Sequence, residues 1–225
     1  MFCLEDSGVR ARATKDIDLV LLSNPNISFA EKLRAYVRSG GYEISLSEDE
    51  KVKNYRFNKP KDEQYPFQIE ILSTSAFEFE LRPGQQIIPI ETSHGLGSLS
   101  AILMDKDYHD LVRSDVLIIH KLPVAGISSL IPLKARAFLD LSKRREKGEG
   151  VKGTDIAKHR KDVFRLVSVL PEQNISLPDS VATDLREFFS HAEIAGTKAT
   201  TLGDVLGLQT SIDELSELAA RYFSL

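Results

Sequence analysis

A chain of 225 residues, 42% hydrophobic and 28% charged, is long enough to bury a core without staples and too apolar to stay disordered. Its single cysteine, Cys3, excludes an internal disulfide and fits a reducing, cytoplasmic setting. The opening MFCLEDSGVR lacks the basic-then-apolar order of a secretion signal, the most apolar stretch (115–133) is broken by His120, Lys121 and two prolines, and the net charge of −4 argues against a general nucleic-acid binder.

The first strand is expected over 17–22, with Ile17, Leu19 and Leu21 on one face and Asp16 and Asp18 at its start on the other. A helix follows over 28–39, with Ser28 placed to cap it and Gly40-Gly41 placed to stop it. Strands are expected at 42–46, 54–58, 66–72, 77–82 and 87–90, with Pro83-Gly84 turning the chain between the last two beyond 72. Short helices are expected at 97–104 and 106–113, then a buried strand at 115–120.

After Ser128 the hydrophobic period lengthens. A long helix is expected over 129–147, ending at Gly148 and Gly150. Thr154-Asp155 can cap a second helix that runs to Leu170, where Pro171 ends it. Pro178-Asp179 opens a third over 179–192, and Asp204 and Ser211 are starts for two terminal helices. The predicted class is α+β: a mixed-sheet lobe over 1–125 and a helical lobe over 126–225.

Three positions stand out chemically. Asp16 and Asp18 lie two apart at the start of a strand, so their side chains share a face. Two neighbouring carboxylates repel, and a hard divalent cation such as Mg²⁺ or Mn²⁺ is their natural counter-ion. Glu70 sits between Ile69 and Ile71 in a run that reads as interior. A carboxylate there is costly unless paired or metal-bound; the alternative is the solvent face of an edge strand. A bare D-x-D is also a common surface pattern.

From Lys134 to Arg165 eleven Lys/Arg face five Asp/Glu, a local excess of six positive charges. Such a stretch is either a solvated helix face or an anion site. Leu130, Lys134, Phe138 and Leu141 fall on one helical stripe, which puts Lys134 in an apolar slot from which it either snorkels or meets an anion. Lys158 and Asp162 are spaced for a local ion pair. No P-loop lysine follows His94-Gly-Leu-Gly, and the five histidines show no metal-ligand spacing.

The segments RATKDIDLVL, YRFNKPKDEQYPFQIEILS, SSLSAILMD, LIPLKARAFLDLSKRREKGE and KHRKDVFRL, in this order from residue 12 to 166, resemble the nucleotidyltransferase AbiEii/AbiGii toxin family of the polymerase-β-like superfamily. The resemblance implies a nucleotidyltransferase-like sheet lobe followed by a helical lobe. It implies Mg²⁺-dependent transfer of a nucleotidyl group from an NTP to an acceptor, tRNA or protein, and an antitoxin partner. By the same resemblance Asp16, Asp18 and Glu70 are the catalytic metal ligands. Arg12, Thr14, Lys134, Lys161 and Asp162 fall in segments that contact the nucleotide. The family's glycine-rich helix start ahead of the D-x-D has no counterpart here, where Gly8 is the only glycine before Asp16. Either a start placed too late or a degenerate copy accounts for that departure, and the second implies an alternative, an inactive nucleotidyltransferase-like binding module.

Overall fold

The structure is a computed structural model that describes residues 15–22, 27–46, 52–72, 105–191 and 210–225. It is a mixed α+β protein. The expected strands at 77–82 and 87–90, the helix at 97–104, the helix start at Asp204, and Cys3, Arg12 and Thr14 lie outside the described residues. The chain divides between His109 and Asp110 into two compact units.

The first unit holds a four-stranded sheet. Its strands are β1 (Asp16–Val20), β2 (Glu43–Leu46), β3 (Val52–Asn58) and β4 (Gln68–Leu72), in the order β1-β4-β3-β2. β1 runs parallel to β4, while β4/β3 and β3/β2 are antiparallel. Between β1 and β2 lies helix α1 (Ile27–Gly40). It opens ahead of Ser28, so Ser28 sits inside the first turn rather than at the cap.

The stop at Gly40-Gly41 is as the sequence predicts. Gly41 adopts φ +62, and its N–H bonds Arg38 O while Tyr42 N–H bonds Val37 O. These two bonds close a helix over a left-handed residue, a conformation that glycine enters without steric cost. Val37 and Tyr42, brought together by that turn, form a small core with Ile69, against which Leu19, Leu33, Phe57 and Tyr65 pack.

Helix α2 (Lys106–Ser114) crosses the division. Beyond it, residues 116–125 form a hairpin of β5 (Val116–Ile119) and β6 (Leu122–Ala125), which falls with the helices rather than with the sheet. The sequence reading of one buried strand at 115–120 is corrected on two points. The chain reverses at His120-Lys121, both at positive φ, and Leu117, Ile118 and Leu122 are exposed, Ile118 by 70%.

The helical unit is built on α3 (Ile127–Glu146), α4 (Gly153–Val167), α5 (Asp179–Ser190) and α6 (Ile212–Tyr222). α3 packs on α4 and α5, and α6 on α4. Phe138, Phe164 and Phe188 are fully buried at the centre, with Phe138 edge-on to Phe188 at 5.2 Å between centroids. Burying side chains of this kind contributes about 1.5–3 kcal/mol each. Arg136–Asp184 (2.6 Å) and Lys143–Glu187 (2.8 Å) tie the rims of α3 and α5.

α3 begins two residues earlier than its periodicity suggests, because its cap comes from elsewhere. The N-cap residue Gly126 has no side chain to offer, and Asp115 replaces it: Asp115 Oδ2 accepts from Ser129 N–H at 2.7 Å. Gly126 N–H in turn bonds Asp115 O at 2.7 Å, and a Cβ at Gly126 would strike the Asp115 carboxylate. At the other end Gly148 (φ +81) closes the helix, and Arg144 Nε donates to Glu149 Oε2 at 2.6 Å across the stop.

α4 opens at Gly153 with Lys152 at its N-cap, so Thr154 and Asp155 lie in its first turn instead of capping it. α6 begins as predicted at Ser211, with a reciprocal capping box to Glu214.

Candidate functional site

The sheet register decides how the acidic residues meet. Asp16 is the Cα partner of Gln68, and Asp18 of Glu70, across the parallel β1/β4 pair. On the other side of β4, Glu70 faces Arg56 and Gln68 faces Asn58 in the β3/β4 register. Paired positions share a face, and so do positions two apart. Asp16, Asp18, Gln68 and Glu70 therefore occupy one face of two adjacent strands.

Their surroundings differ. Among the described strands β1 lies at the sheet edge, and both aspartates are exposed. Ile17, expected to fill the interior, is 42% exposed for the same reason, while Leu19 packs against the core. β4 is an inner strand, and Glu70 is only 6% exposed. The alternative of an edge-strand, solvent-facing Glu70 is thereby removed. Glu70 Oε1 accepts a hydrogen bond from Gln68 Nε2 at 2.9 Å.

Just beyond β1, His109 of α2 donates from Nε2 to Leu21 O at 3.0 Å. A carbonyl only accepts, so this contact places the proton on Nε2. The imidazole, buried from solvent, anchors the chain leaving the acidic strand.

Carboxylate oxygens on neighbouring strands are the donor type that Mg²⁺ or Mn²⁺ selects. Among the described residues, however, no three His, Cys, Asp or Glu side chains are gathered into a group that could hold a metal ion.

The remaining candidates belong to the helical unit. Lys134 is half-buried on α3. The buried face of that helix runs through Ile131, Ala135, Phe138 and Leu139, and Leu130, Lys134 and Leu141 lie half-buried at its border. On α4, Lys161 is half-buried, and Asp162 is 1% exposed with Arg165 Nη1 at 3.6 Å from its Oδ1. Lys158 pairs with Asp155 at 3.5 Å, on the turn before it, whereas the predicted partner Asp162 lies on the turn after it. Gln68, the hydrogen-bond partner of Glu70, carries no local sequence signature and becomes visible only in the structure.

Compared with family models, curated proteins and solved structures, the chain matches none. Among the described residues no helix is long and apolar enough to cross a membrane.

Proposed function

We propose that the chain is a divalent-metal-dependent nucleotidyltransferase acting through Asp16, Asp18 and Glu70. The observation that carries this reading is the parallel register Asp16↔Gln68 and Asp18↔Glu70. It sets two exposed aspartates on an edge strand beside a buried glutamate on the next strand. Carboxylates brought to paired positions offer the hard oxygen donors that a divalent cation takes, and such a cation is the proposed occupant of this face.

In this reading Asp16 and Asp18 hold the cation and orient the donor NTP. The cation, when bound, neutralises charge on the phosphoryl oxygens. Glu70 is the group placed to take the proton of the acceptor hydroxyl, and its low exposure keeps competing water away. Gln68 positions the Glu70 carboxyl through its side-chain amide. The family resemblance adds the NTP donor and the toxin role to the proposal.

A second reading is a binding module without turnover. It is favoured by the Gln68–Glu70 hydrogen bond together with the lack, among the described residues, of a gathered three-ligand group.

Calorimetric titration of each NTP with and without Mg²⁺, beside Asp16→Asn and Asp18→Asn, tests both. Metal-dependent binding lost in the variants supports the nucleotide site. Binding without metal and unchanged in the variants favours the second reading, and no binding by folded protein removes the first.

A further inference from the structure

The end of the sheet presents a second arrangement, distinct from the carboxylates. Phe67, the residue before β4, is 49% exposed. Its backbone is bonded on both sides to lysine residues: Phe67 N–H donates to Lys15 O at 2.7 Å, and Lys59 N–H donates to Phe67 O at 3.0 Å. Both lysines are exposed, as is Lys61 two residues on. An exposed aromatic residue thus has an exposed lysine hydrogen-bonded to its backbone on either side.

Hydrogen bonds tie the segment around it to neighbouring elements. Lys61 N–H bonds Gly40 O (2.9 Å), Tyr65 N–H bonds Asp62 O (3.1 Å), and Tyr42 OH donates to Pro66 O (2.6 Å). The Tyr65 ring lies 4.9 Å from that of Tyr36. The loop is therefore held by α1 and by its own tyrosines, and Phe67 is not buried by them. Of the acids in the loop, Asp62 accepts from Gln64 N–H at 2.9 Å and so serves its own turn, while Glu63 is exposed.

We propose that this end of the sheet binds single-stranded nucleic acid, with one base stacked on Phe67 and the flanking phosphates met by Lys15 and Lys59. Aromatic rings held on strands and flanked by cations suit unstacked bases, because every base has a π-face and every linkage a negative charge. A duplex offers no free base face for such a ring. An anionic bilayer is a poorer fit, since one exposed ring offers little apolar area to insert and the exposed Glu63 opposes the surface charge.

The test is fluorescence anisotropy of labelled single-stranded RNA and DNA oligonucleotides, titrated with the full chain in EDTA and without NTP. In that format its outcome is independent of the nucleotidyltransferase reading. The expected result is binding that weakens as salt rises. Phe67→Ala weakens it by about tenfold, within the range of a lost base–aromatic stack. Lys15→Ala and Lys59→Ala each lower the salt slope by about 0.7. All three side chains are exposed, and circular dichroism checks that the variants fold. Three results overturn the proposal: no binding, equal competition by duplex, or binding that none of these variants alters. Capture by anionic vesicles in place of oligonucleotides, lost in the same variants, overturns it in favour of a membrane surface.

Discussion

Asp18 and Glu70 are directly paired residues on adjacent parallel strands, one exposed at the sheet edge and the other almost fully buried. The pairing puts like charges at neighbouring positions on one face of the sheet, an arrangement that costs a sheet stability.

Asp18→Asn should therefore raise the melting temperature in EDTA by a few degrees at most. If the proposed site holds Mg²⁺, the ion should raise the melting temperature of the native chain and Asp18→Asn should abolish that rise, because a ligand stabilises only the state it binds. Melting curves with and without Mg²⁺ check both directions. An Mg²⁺ response that survives in Asp16→Asn, Asp18→Asn and Glu70→Gln alike would remove the metal from this site.

The cap of α3 makes a stability prediction. Asp115→Ala deprives Ser129 N–H of its acceptor and should cost about 1 kcal/mol, read from the midpoint of urea unfolding. Gly126→Ala should also destabilise, since its methyl group displaces the same carboxylate.

At alkaline pH the relevant group is Tyr42. Burial, then the neighbouring Tyr36 and Tyr65 hydroxyls, push its phenol above the ordinary 10.0. A raised folded value favours the neutral form. Its contribution is full below the ordinary value and is lost as pH rises through the folded one. The Tyr42–Pro66 hydrogen bond goes with that proton. Phenolate absorbance should show one tyrosine titrating late, and Tyr42→Phe should remove that step.

At acid pH the sign reverses for Glu214. The backbone N–H of Ser211, then its hydroxyl, hold the carboxyl below the ordinary 4.5. Its contribution is present above that value and is lost as pH falls through the lower folded value. The difference in melting temperature between the native chain and Glu214→Gln should therefore shrink from pH 7 towards acid.

Local signals carried the reading where local chemistry decides the structure. The glycine pair at 40–41 stops α1 through the turn that only glycine enters freely, and Ser211 with Glu214 starts α6 as a self-contained box. The D-x-D strand was legible because alternation fixes which residues share a face.

Tertiary partners decided the rest. In 116–119 four apolar residues in a row carry no alternation, so the sequence could not say whether they were buried, and the turn at His120-Lys121 lacks the usual glycine or asparagine. The start of α3 depends on a carboxylate fourteen positions upstream of the amide it caps. The position of Lys134 at the border of its helix's buried face follows from how α3 packs on two other helices, which one helix's periodicity cannot show.

The Asp115 cap has a practical corollary. It joins the base of the hairpin to α3 by bonds among Asp115, Gly126 and Ser129, and none of them involves the tip. The turn at His120-Lys121 is thus a handle: a peptide epitope or a fluorophore inserted there lengthens a loop whose two ends are already tied, and the helix behind it keeps its first turn.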